Sequence, residues 1–225
     1  YVNLMSIELA QTNYKDVIEV FNQANKSSPD KIKCNVIAAA AYKNIGNRNE
    51  CRNLLKEYLN TFTGNIHALN NLANLEQEEG NFKEAKIIFE NLVSKNPDFQ
   101  EAKINLAITL EALNEFQRAE KLLQNVADNK ENTAAEVVLS NIYYRRGLND
   151  IAISRLEKLV SKPKPSGDLL YEAGAHLYRA KSYARAIDYL DQAISLGLTT
   201  EKLWNIKALC EKSLGKYEEA VNILE

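Results

Sequence analysis

Gly80-Asn-Phe-Lys-Glu-Ala85, Gly147-Leu-Asn-Asp-Ile-Ala152 and Gly215-Lys-Tyr-Glu-Glu-Ala220 are three versions of one hexapeptide. Extended outward, they set a register of 34 residues, shortened once to 33. Complete units run 32–65, 66–99, 100–132, 133–166 and 167–200, with partial copies at 1–31 and 201–225. A fixed period of this length is the signature of a stacked array, in which each unit is too small to bury its own apolar face.

The columns of that register have a physical reading. Position 20 is Val17, Cys51, Ala85, Ala119, Ala152, Ala186 and Ala220, and position 8 is Met5, Ala39, Ala73, Ala107, Ser140, Gly174 and Ala208. Two helices that cross closely need small side chains at the contact, and these columns provide them. Position 24 is Phe21, Leu55, Phe89, Leu123, Leu156, Leu190 and Leu224, while position 17 includes Tyr14, Phe82, Phe116, Tyr183 and Tyr217. Spacings of three and four keep the large residues on one helical face around the crossing. Gly at position 15 suits the positive φ of a helix end. Pro29 and Pro97, both at position 32, stop the second helix of a unit.

Composition agrees with helices. The 225 residues include only eight Gly and four Pro, few for a sheet architecture with many turns. The formal net charge of -2 argues against a nucleic-acid partner, which requires excess Lys and Arg to displace counterions from phosphate. No apolar run approaches the roughly 20 residues that cross a bilayer, so no membrane insertion is expected of this segment. Tyr1-Val-Asn-Leu4 lacks a basic start and a long apolar core, so no signal peptide is read there. A chain that opens on Tyr reads as a segment or a mature form. Three cysteines (Cys34, Cys51, Cys210) at unrelated spacings form neither a metal motif nor an even disulfide framework. The cytoplasm is the default compartment, with a periplasmic or membrane-tethered parent protein left open.

The small-large-small pattern resembles the tetratricopeptide repeat family over the whole chain. The resemblance implies an all-α fold, a right-handed α-solenoid of antiparallel helix pairs forming a single array over 1–225. Departures occur at Arg48 and Asn149, which replace the position-17 aromatic, at Lys181 in place of the position-15 Gly, and at Lys207 where Leu is usual. The polar joint Ser161-Lys-Pro-Lys-Pro-Ser-Gly-Asp168 reads as an ordinary turn between units. Arrays of this kind need polar terminal caps for solubility. None is visible, which points to a longer parent protein or partner contacts at the ends, and leaves self-association through uncapped ends open.

In the family, the concave wall carries positions 2, 5, 6, 9, 12 and 13 of the first helix in each unit. Two patches fall there. Asn70, Asn71 and Asn74 in one unit, Asn105 in the next and Asn141 in the one after make an amide-rich surface. A carboxamide both donates and accepts, so a ladder of them can grip a peptide backbone with little regard for its side chains. It is similar to the asparagine ladder of O-linked N-acetylglucosamine transferases, although position 6 elsewhere is Ile37, Val138, Glu172 and Ile206. With 26 Asn in the chain, several on that wall are also expected from composition alone. The second patch repeats as Tyr144-Arg145 and Tyr178-Arg179, with Tyr171 nearby. Arg can take a carboxylate through two parallel hydrogen bonds and Tyr supplies flat apolar area, which suits an acidic or aromatic-containing peptide. The competing reading packs these side chains between units or leaves them in water. The carboxylate clamp of chaperone-binding relatives is incomplete, because Ala134 and Val138 stand where cations are required.

Nothing points to catalysis. No Gly-rich phosphate loop, HExxH or GxSxG string occurs. Glu172 and His176 share a helix face, but without a third ligand they read as an exposed polar pair. Cys51, in a small-residue column, reads as an inert core thiol. No cofactor or metal is expected. The expected function is a non-catalytic scaffold binding a peptide or partner protein in the groove. The alternatives are a substrate-recruiting arm of a larger enzyme such as a glycosyltransferase, and an assembly scaffold in bacterial secretion, pilus or exopolysaccharide systems.

Overall fold

The computed structural model describes residues 1–27, 31–127 and 132–224. Pro29 and the joint where one unit is a residue short lie outside them. The described residues contain helices and no strands. The chain divides into two compact units, Tyr1–Leu113 and Asn114–Glu225, and the division falls within residues 100–132.

The first unit contains α1 (Val2–Ala10), α2 (Tyr14–Ser27), a 3-10 turn (Lys31–Cys34), α3 (Asn35–Asn44), α4 (Arg48–Thr61), α5 (Ile66–Glu78), α6 (Phe82–Lys95) and α7 (Gln100–Ala112). The second contains α8 (Phe116–Ala127), α9 (Thr133–Arg145), α10 (Asn149–Val160), α11 (Gly167–Arg179), α12 (Tyr183–Ser195), α13 (Glu201–Ser213) and α14 (Tyr217–Leu224). Within each unit every helix packs on the next, and first helices also touch across hairpins, α1 on α3, α5 on α7, α9 on α11 and α11 on α13. Each unit is therefore a stack of helical hairpins, the α-solenoid construction.

Local chemistry sets the boundaries. Asn65, Asn132, Ser166 and Thr200 cap α5, α9, α11 and α13, each side-chain oxygen accepting from a backbone N–H of the first turn. At the other end, the residue two places past the helix turns left-handed. Gly46, Gly80, Gly147 and Gly215 have φ between 79 and 84°, and Lys181 and Thr12 take φ 62° at the same register position. The reversal lets Gly80 N–H donate to Gln77 O (3.1 Å) and Asn81 N–H to Glu76 O (2.8 Å); Lys181 and Ser182 repeat the pair onto Tyr178 O and Leu177 O, both at 2.9 Å. This double bond pattern satisfies the last carbonyls of the helix and aims the chain back along it.

The hairpins close on the small columns. Ala73, Ala85, Ala107, Ala119, Ala152 and Ala186 are fully buried, as are Phe89, Leu123 and Leu190 beside them. The crossing of α11 on α12 is close. A Cβ on Gly174 would lie 2.9 Å from Leu190 Cγ and 3.2 Å from Ala186 O, so no larger residue fits without movement. In the last helix the large position is open, with Leu224 61% exposed. No described helix is long and apolar enough to cross a membrane.

Candidate functional site

In the first unit, α5 and α7 bring Asn70, Asn74 and Asn105 together. Asn105 Nδ2 donates to Asn74 Oδ1 at 2.9 Å and to Asn70 Oδ1 at 3.4 Å, and Asn70 Nδ2 donates to Glu101 Oε1 at 2.7 Å. Gln77 Nε2 extends the network to Asn105 O (3.1 Å) and Thr109 Oγ1 (2.9 Å). Asn70 is buried and Asn74 and Asn105 are half-buried. These carboxamides join one first helix to the next, with the Asn105 amide donating to both Asn70 and Asn74. Asn71 differs: it is exposed and borders a pocket of about 280 Å³ between α3 and α5, lined also by Ala39, Ala40, Lys43, Asn44, Cys51 and Leu55.

The second unit holds Asn141, Tyr144, Arg145, Tyr171, Tyr178 and Arg179. Asn141 Oδ1 lies 2.8 Å from His176 Nε2, which selects the tautomer with the proton on Nε2. The His176 ring meets Tyr144 edge-on at 5.2 Å, and the Arg179 guanidinium sits over the Tyr144 ring at 5.2 Å. The result is a chain of contacts across α9 and α11 (Asn141, His176, Tyr144, Arg179) that fixes the guanidinium. Arg179 is exposed and makes no ion pair among the described residues. Arg145 is held elsewhere, over the Phe116 ring at 5.2 Å and donating to Asn114 Oδ1 at 2.9 Å. Tyr178 is half-buried against Tyr183 of its own hairpin, ring centroids 6.0 Å apart.

His176 is 1% exposed, which corrects the expectation of an exposed polar pair with Glu172. The signal was available in the register, since its column also holds Leu75, Ile142 and Cys210, all buried. Burial, helped by the nearby Arg179 charge, pushes its pKa down to about 4, so the ring is neutral at pH 7. Its Nδ1 is buried without a hydrogen-bond partner among the described residues. Burial also raises the Glu172 carboxyl, against the opposing charge of Arg179. Tyr171 is half-buried and raised by burial and then by the Glu172 charge. Burial raises the Cys51 thiol, and Cys210 is pushed up to about 11 by burial and the Glu211 charge. A guanidinium held over a flat ring has the chemistry to take an anionic group.

The family model of the tetratricopeptide repeat matches residues 76–138, and that of anaphase-promoting complex, cyclosome, subunit 3 matches residues 145–225. No curated protein matches the chain by sequence. Among solved structures, a tetratricopeptide repeat protein from Parabacteroides merdae has a TM-score of 0.80 at 18% identity, covering 93% of this chain and 82% of that one. The anaphase-promoting hetero-tetramer Cut9–Hcn1 gives a TM-score of 0.72 at 15% identity, covering 98% of this chain and 44% of that one. YrrB, described as having an unusual peptide-binding site, gives 0.53 at 19% identity, covering 78% and 91%. At these identities the likeness is one of fold.

Proposed function

The chain is a tetratricopeptide-repeat protein, and from that premise we propose that it is a non-catalytic scaffold holding a partner polypeptide along its first-helix faces, with a carboxylate of the partner anchored at Arg179. One observation carries the reading. The Arg179 guanidinium is held over Tyr144, which is braced by buried His176, and it makes no ion pair among the described residues. A fixed guanidinium loses little freedom on binding and can take both carboxylate oxygens at once. Tyr144 adds half-buried apolar area beneath it.

The test is fluorescence anisotropy with an array-selected peptide that carries Asp or Glu beside Phe or Tyr. Arg179→Ala weakens binding about tenfold or more, and Arg179→Lys restores only part of it, because a lysine cannot make the paired contact. Affinity unchanged by Arg179→Ala combined with Tyr178→Ala, in protein with an unaltered helical signal, places the partner elsewhere.

A second reading, a structural position in a multi-subunit assembly, is favoured by the match of residues 145–225 to the anaphase-promoting complex subunit model. In that case association with the assembly survives Arg179→Ala.

A further inference from the structure

The register lets one hairpin step be compared with another. Where α5 meets α7, position 9 of the first helix is Asn74 and position 6 of the second is Asn105, and their carboxamides meet at 2.9 Å. Where α3 faces α5, the same two positions are Ala40 and Asn71. The accepting carboxamide is missing, and the space it would fill is the pocket bordered by Ala40 and Asn71. The α11 and α13 step also has a small residue, Ala175, but there position 6 is the half-buried Ile206. Among the described residues, Asn71 makes no hydrogen bond.

We propose that the notch between α3 and α5 is a subsite for a carboxamide side chain, Asn or Gln, of a bound polypeptide. The inference rests on the reading that the first-helix faces hold such a chain. The fold itself shows the complement, because Asn74 occupies the equivalent space and presents its carbonyl to Asn105. The floor of Ala39, Cys51 and Leu55 is apolar and takes the methylene stem. At the rim, Lys43 Nζ lies 2.7 Å from Glu78 Oε1, so the two charges offset and leave no net attraction for a carboxylate. Asn44 Nδ2 is turned to Ala40 O at 2.8 Å, which leaves Asn71 as the free amide. A volume of about 280 Å³ is ample for one amide side chain.

The probe is N-acetyl-glutamine N-methylamide, titrated into 15N-labelled protein alongside its leucine and glutamate counterparts. Saturable shifts are expected at the Asn71 side-chain amide and the Ala40 and Lys43 backbone amides. The glutamine probe binds about three- to tenfold tighter than the leucine probe, the value of one hydrogen bond. Asn71→Ala, at an exposed position, removes that preference. Ala40→Asn fills the notch with the group that Asn74 supplies one step on; it abolishes the shifts and leaves the melting temperature unchanged or higher. Leucine or glutamate binding as tightly as glutamine, shifts that persist in Ala40→Asn, or no saturable shift overturns the assignment. Arg179→Ala leaves the glutamine titration unchanged, so failure at the anchor and failure at the notch are read separately.

Discussion

Replacing His176 by leucine should flatten the acid side of the stability profile. The imidazole has a pKa of about 4 in the folded chain against 6.5 when unfolded, because burial and Arg179 oppose its charge. The unfolded state therefore binds the proton more readily. Stability is full above pH 6.5, falls as pH drops through the window from 6.5 to 4, and stops falling on this account below it. Integrating between those limits gives a loss of about 2 kcal/mol at pH 5 relative to pH 7.5, and about 3 kcal/mol once the pH is below both values. Leucine is the right probe because Leu75 occupies the same register position in α5 with no exposure, so the shape is tolerated. At pH 7.5 the variant loses the Asn141 hydrogen bond but no longer buries an unpartnered Nδ1, and should lie within about 1 kcal/mol of the parent. The assay is urea unfolding by circular dichroism of both proteins at matched pH values. Carboxylates titrating below pH 5 contribute to both and cancel in the difference. Parallel profiles for the two proteins would refute the argument, since His176 would then not be the buried neutral group described.

Three further substitutions test the packing and the amides. Gly174→Ala forces a Cβ to within 2.9 Å of Leu190 Cγ and should cost about 1–3 kcal/mol, read as a lower thermal midpoint. Lys181→Gly removes a left-handed side chain at φ 62°; part of the gain is lost to the freer unfolded chain, and a net stabilisation of about 1 kcal/mol is expected by urea titration. Asn105→Ala deprives Asn74 and Asn70 of their donor and should destabilise the first unit by about 1–2 kcal/mol, while peptide affinity in the anisotropy assay changes little.

The register was legible because it is written in side-chain volume, and volume at a helix crossing has few solutions. Small residues at positions 8 and 20 and large ones at 24 are what two close helices require, and most of those residues are buried here. The departures were legible as departures but not as solutions. Lys207, where Leu is usual, keeps its ammonium 2.6 Å from Asp191 and 5.8 Å from the Trp204 ring centroid, so a charged residue is accommodated without a buried unpaired charge. No single-unit pattern reveals that partner, because Asp191 lies in the preceding unit.

The site was less legible, for a reason specific to carboxamides. Asparagine looks the same in a sequence whether it caps a helix, ties two helices together or waits for a ligand. Asn65 and Asn132 are caps, Asn70, Asn74 and Asn105 bond to one another and to Glu101, and Asn141 holds His176. Only the three-dimensional account of donors and acceptors separates those from Asn71, whose counterpart at position 9 is an alanine. A column of identical residues therefore does not define a ladder; a ladder needs the residues whose partners are missing. The same logic applies to the two Tyr-Arg pairs. Arg145 is engaged by Phe116 and Asn114 and Tyr178 by Tyr183, which leaves Arg179 over Tyr144 as the member of the pattern with binding capacity to spare.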